Sequence, residues 1–315
     1  VLAALVAVVV AVTRSGSSRT TTPLPIPKGS PTVGTFRYGF DLTTQAPEPA
    51  TTAAHDEDAQ FADSASSASS ARSVLSHLHG AFVDQSIFGF GADVDPEPRP
   101  GDFDMTAIAP RLALIEAAGD TPVITLVSAP NWMKDHAAGR KKLFDSPPTP
   151  DHYEDFAALA AHVAQTFPQV HYFSVWSELR GFFDKTTHNW GYQDYTDMYN
   201  DVYRAIKKVE PADEIGGPYA VMTSHPDPVR NTPSTVHGPW GYLDQGMLDT
   251  VSYWITHKVG AQYIAVDGAT EIAATSDARI NDAVTAAEQY AAVDRWIRSQ
   301  TNLPIWWMES HIQPR

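Results

Sequence analysis

Two apolar stretches of this chain end in a glutamate, and a pair of carboxylates can carry acid, base and nucleophile roles between them. The first is His171-Tyr172-Phe173-Ser174-Val175-Trp176-Ser177-Glu178 and the second is Leu303-Pro304-Ile305-Trp306-Trp307-Met308-Glu309. Each glutamate follows a tryptophan within three residues. A carboxyl group closing an apolar strand is poorly solvated, which suits it to holding and donating a proton. Cleavage of a glycosidic bond needs such a pair, about 5–5.5 Å apart when the anomeric configuration is retained and farther apart when it is inverted. That chemistry requires neither cofactor nor metal. Other reactive patterns are missing. Gly89-Phe90-Gly91 lacks the third glycine of a dinucleotide site, and residues 93–104 lack the central glycine and terminal glutamate of a calcium-binding hand loop. No HExxH, P-loop or Gly-x-Ser-x-Gly elbow occurs.

Both glutamates need elements that bring their ends together. Candidate strands lie at 36–41, 86–90, 122–127, 170–176, 214–219, 250–254 and 304–309. Helical patterns fall between several of them. Asp151 and Glu154 are spaced as a capping box ahead of Phe156, Leu159, Ala160, Val163 and Phe167. A second stripe runs through Tyr195, Met198, Tyr199, Val202, Ile206 and Val209 to Pro211, and a third helix is expected over 277–299. Strands alternating with helices predict a parallel sheet. The expected fold is α/β, a (β/α)8 barrel of the TIM type, with catalytic groups at the C-terminal ends of the strands. Only seven strands are found and the seventh lies close to Arg315, so an eighth βα unit is expected to be missing from a truncated C-terminus.

With these residues the chain resembles the clan of retaining glycosidases whose acid/base ends strand four and whose nucleophile ends strand seven, and most nearly the family 39 glycoside hydrolases. The likeness spans roughly residues 36–311. It is carried by Tyr172–Glu178 and Leu303–Glu309, by the helix over 153–167, by Ala129-Pro130-Asn131-Trp132, and by Asp249-Thr250-Val251-Ser252-Tyr253-Trp254. It implies Glu178 as general acid/base, Glu309 as nucleophile, and Tyr253 as a hydrogen-bond donor to Glu309. The family pattern has Asn immediately before the acid/base, where it bonds the sugar 2-hydroxyl; this chain has Ser177, a shorter group without the amide's two-ended geometry. Further substrate-binding candidates are Trp132, by stacking on a sugar or by core packing; His257, toward a hydroxyl or simply in a loop; and Asp41, toward a distal hydroxyl. Gly181-Phe182-Phe183 could wall the cleft or cover the rim. Two rivals stay open: a catalytically degenerate barrel acting as a carbohydrate-binding module, and a barrel hydrolase whose glutamates ligate a metal.

The remaining sequence bounds the partners. A net charge of −15 disfavours nucleic acid and anionic membranes, which need a basic stripe. Eight Trp and twelve Tyr suit a cleft for carbohydrate rings. With no cysteine, disulfides and thiolate metal sites are excluded. Residues 1–12 are almost wholly apolar and too short to span a bilayer, which fits a signal-peptide h-region or signal anchor, and hence a secreted or cell-surface protein with a membrane tether at this end. Residues 13–35 read as a Ser/Thr/Pro-rich linker, residues 36–315 as the catalytic barrel domain, and residues 45–70 as a long surface loop within it.

Overall fold

Seven of the chain's apolar runs assemble into one sheet in sequence order. The structure, a computed structural model, describes residues 39–41, 81–88, 94–135, 146–269, 271–272, 279–280 and 283–311. The chain divides into Val1–Phe36 and Arg37–Arg315, and all described residues belong to the second unit. The expectations for 1–12, 13–35 and 45–70 therefore lie outside the described residues. Among those described, no helix is long and apolar enough to cross a membrane.

The sheet strands are β1 Gly39–Asp41, β2 Phe82–Ser86, β3 Thr121–Leu126, β4 Tyr172–Val175, β5 Glu214–Val221, β6 Tyr263–Ala269 and β7 Ile305–His311. Each pairs in parallel with the next. Parallel neighbours need a crossover connection, and among the described residues five connections contain a helix: α1 Ala109–Ala117, α2 Tyr153–Thr166, α3 Tyr192–Val209, α4 Gln245–His257 and α5 Ala283–Arg298.

The sheet curls strongly. The rings of Phe82 on β2 and Trp306 on β7 have centroids 5.0 Å apart. Five strand spacings in a flat sheet would separate them by about 24 Å. Cα atoms of β1 also come within 8 Å of β7. Tyr172 on β4 and Tyr263 on β6 join the same interior cluster, with Tyr263 stacked on Trp306 at 4.1 Å. On the outer face Trp307 meets Tyr290 of α5 at 4.5 Å, and Val83 packs on Leu114 and Ile115 of α1. β1 and β7 are not hydrogen-bonded to each other, and no eighth strand joins the sheet among the described residues. The observed architecture is thus a curled parallel sheet of seven strands with helices in its connections.

Four local expectations need correction. The strand expected at 86–90 sits at Phe82–Ser86. The stretch 250–254 is helical: the Asp244 side chain caps α4 by accepting from the Gly246 N–H, and Met247, Leu248, Val251 and Trp254 form its buried face. The sixth strand is instead Tyr263–Ala269. Asp151 and Glu154 form no capping box, because Asp151 lies in a 3-10 turn and the helix N-cap is His152, without a side-chain cap bond. The helix expected over 277–299 begins at Ala283, while Arg279–Ile280 pairs antiparallel with Glu271–Ile272.

The Tyr263 ring lies where any side chain on Gly216 of β5 would project. Gly216→Ala should therefore lower stability by about 1–3 kcal/mol through overpacking, read as a fall in the urea midpoint with an unchanged slope.

Candidate active site

Beyond β4 the chain turns sharply through a strained segment. Trp176, Glu178 and Leu179 have φ of 69°, 52° and 53°. The left-handed region costs a non-glycine residue about 1–2 kcal/mol, so packing must hold it there. Trp176 and Leu179 are wholly buried. The Trp176 Nε1–H donates to the Arg180 carbonyl at 2.8 Å, and its ring meets Phe156 and Phe182 edge-on. The Tyr195 hydroxyl donates to the Val175 carbonyl at 2.8 Å. Between these anchors Glu178 is half-buried, and its Oε2 accepts from Arg180 Nε at 2.5 Å and pairs with Nη2. A cavity of about 620 Å³ opens beside Arg180, with Gly181, Phe182 and Phe183 in its wall.

Glu309 reaches the site through an irregularity in β7. Trp306 and Met308 both pack inward against Tyr219, Tyr263 and Ala265. Strict alternation would then send Glu309 outward. Instead the register with β6 slips: Val266 pairs with Trp307 and Asp267 with Glu309, leaving Met308 unmatched. Such a bulge re-aims the next side chain. A second slip, between β5 and β6, leaves Tyr219 unmatched, with φ of 56°. The two irregularities meet where the Tyr219 hydroxyl donates to Glu309 Oε1 at 2.6 Å. That bond offsets part of the cost of placing a carboxylate here.

Carboxyl oxygens of Glu178, Asp267 and Glu309 lie within 4.8 Å of one another. Groups this close can share a proton or a hard cation. Asp267, on β6, is 4% exposed. Burial, a side-chain hydrogen bond with Glu178 and the charges of Glu309 and Glu178 push its pKa up to about 8. Asp84 on β2 accepts from Thr125 Oγ1 at 2.8 and 2.7 Å. Burial raises its pKa to about 7 against those bonds, with the Glu309 charge adding to the rise.

Of the residues singled out from sequence, Glu178 and Glu309 come together. Ser177 is half-buried beside Glu178, and its carbonyl accepts from the Arg180 N–H at 3.0 Å. Asp41 pairs in register with Asp84, which puts its backbone at the same end of the sheet. Trp132 is tied into a loop, its Nε1–H donating to the Glu97 carbonyl at 2.8 Å and its ring edge-on to His152. Tyr253 and His257 are corrected. Both lie on α4, stacked on each other at 3.8 Å, because their segment is a helix and not a strand. The hydroxyl on Glu309 is that of Tyr219. Sequence reasoning also missed Asp84, Arg180 and Asp267. Tyr263-Ile264-Ala265-Val266-Asp267 repeats the pattern of an apolar strand closing on a carboxylate, so that signal was present.

No family model and no curated protein matches the chain. Solved structures do. A GH39 enzyme from Xanthomonas axonopodis pv. citri superposes with a TM-score of 0.55 at 16% identity, covering 90% of this chain and 56% of that one. A monomeric beta-xylosidase from Caulobacter crescentus CB15 gives 0.54 at 16%, covering 87% and 56%. A GH39 beta-xylosidase from Caulobacter crescentus gives 0.51 at 15%, covering 80% and 51%. These likenesses establish a shared fold, and the chain spans a little over half the length of each of those proteins.

The raised carboxyl groups tie stability to pH. The folded chain keeps a proton on Asp84 that the unfolded chain releases near pH 4, so this contribution is full below about pH 4 and is lost as pH rises through about 7. The melting temperature should fall from about pH 5 to pH 9, and Asp84→Asn should flatten that fall. An identical slope in the variant would contradict the assignment.

Proposed function

We propose that this protein is a retaining glycoside hydrolase acting on a glycoside or polysaccharide outside the cytoplasm. The observation that carries the reading is the approach of the Glu178 and Glu309 carboxyl groups to within 4.8 Å at the C-terminal ends of parallel strands. That is the short separation associated with retention, where an inverting pair needs room for water. The shared fold with GH39 enzymes supports it.

In this mechanism Glu309 attacks the anomeric carbon while Glu178 protonates the departing glycosidic oxygen. The Tyr219 hydroxyl holds the Glu309 carboxylate in line until it becomes an ester. Water then attacks the glycosyl-enzyme, Glu178 removes its proton, and Glu309 leaves as a carboxylate. Arg180, paired with Glu178, fixes the orientation of the acid/base against the strained turn that carries it. Ser177 would meet the neighbouring sugar hydroxyl with one short group, which makes recognition there looser than an amide would.

The decisive test is hydrolysis of a panel of aryl glycosides by the wild type and by Glu309→Ala. The variant should lose at least ~10³-fold in kcat, and azide should restore turnover with an inverted glycosyl azide as product. Intact glycan binding with no hydrolysis of any glycoside by the wild type would replace this reading with that of a carbohydrate-binding barrel. The apolar run 1–12 and the Ser/Thr/Pro-rich segment 13–35 support export. A reporter fused behind residues 1–35 should reach the secreted or cell-surface fraction; retention in the cytoplasm would refute that localisation.

A further inference from the structure

We propose that Asp267 shares one proton with Glu178 and is the store that recharges Glu178 as a general acid, so that the acid of this site is a pair of carboxyl groups. The catalytic half of this statement rests on the glycosidase reading; the shared proton stands on geometry alone. Asp267 is almost wholly buried, its Oδ1 has no hydrogen-bond donor, and its carboxyl belongs to the trio within 4.8 Å. Two largely buried carboxyl groups this close cannot both ionise cheaply, so one proton stays between them.

The surroundings decide which group holds it. Arg180, from the turn after β4, neutralises Glu178 directly. The charges acting on Asp267 are those of Glu178 and, from β7, Glu309, and both are negative. On β5 the Tyr219 hydroxyl is committed to Glu309, and on α5 the Tyr290 hydroxyl is bonded to Ser310 Oγ at 3.0 Å. Asp84, on β2, adds a further acid toward Glu309. The proton therefore sits on Asp267, which donates to Glu178, in keeping with the rise of its pKa to about 8.

This arrangement keeps the charge of the trio constant through the reaction. At rest Glu178 and Glu309 are ionised and Asp267 is neutral. As the glycosidic C–O bond breaks, the proton moves from Asp267 to Glu178 and on to the leaving oxygen. Asp267 becomes ionised at the moment Glu309 is neutralised by its new bond to the anomeric carbon. In the second half water loses a proton to Glu178 and thence to Asp267, its oxygen bonds to carbon, and Glu309 leaves as a carboxylate. Asp267 is thus a positioning and proton-holding residue acting through Glu178.

The test uses the full chain and Asp267→Asn, which is nearly isosteric. The infrared carbonyl stretch of a protonated carboxyl that fades only toward about pH 9 should be present in the wild type and persist in Asp84→Asn. It should be absent from Asp267→Asn, which keeps only the Asp84 component lost near about pH 7. With aryl glycosides of graded leaving-group pKa, the variant should lose ~10²-fold or more in kcat/KM on poor leaving groups and little on good ones, and its alkaline limb should move to lower pH. Glu178→Gln should keep the band but shift its loss to lower pH. Absence of the band in the folded wild type, or equal losses on all leaving groups, overturns the proposal. So does loss of the band together with a higher melting temperature on adding magnesium or calcium, which would make the trio a cation site. A wild type that shows the band yet hydrolyses no glycoside overturns the glycosidase reading and leaves the shared proton established.

Discussion

Carboxylates repel one another, and the repulsion grows as water is removed. At the C-terminal end of this sheet Asp84, Glu178, Asp267 and Glu309 come from four different strands or the turns that follow them, and their mutual influence is felt in the raised pKa values of the two aspartates. Such a cluster persists only if each member has its own compensation. Thr125 supplies it to Asp84, Arg180 to Glu178 and Tyr219 to Glu309. Asp267 has only a backbone N–H, that of Gly268, and its Oδ1 has no donor, so a retained proton serves instead.

The scaffold explains why such crowding is tolerated. Seven parallel strands with helical crossovers send all their C-terminal ends the same way, so the polar residues collect at one end. Below them the rings of Phe82, Tyr172, Tyr263 and Trp306 fill the interior of the curled sheet. Aromatic pairs of this kind are worth about 0.5–1.5 kcal/mol each beyond their burial. The packed floor supports the unfavourable backbone angle at Tyr219, which packs with Tyr263 and Trp306, while Phe156 and Phe182 against Trp176 support those of the turn after β4.

Much of this was legible in the sequence where a strand is apolar and ends in one chemically distinct residue. Tyr172–Glu178 and Leu303–Glu309 met that condition, and both glutamates arrive where the pattern implied. The sixth strand was misplaced because Asp249–Trp254 has β-branched and aromatic residues yet also fits a helical period, and the cap at Asp244 settles it as helix. Putting the strand there hid Asp267 and made Tyr253 the partner of Glu309. Tyr219 was hidden for another reason. Its segment was correctly read as a strand, but a register slip depends on what the neighbouring strand does, and no periodicity within one segment reports that.

The two slips give the site an arithmetic character. Glu309 shares a face with Trp306, three positions earlier, because Met308 is one residue more than plain alternation allows, and this holds irrespective of what the residue is. A change of side chain at Met308 leaves the pairing intact, and removal of that one unmatched residue would restore plain alternation with Glu309 still opposite Asp267, only without the bulge. What the site asks of this strand end is a pairing and not a particular side chain, which accords with a chain that shares a fold with enzymes to which it is only 15–16% identical.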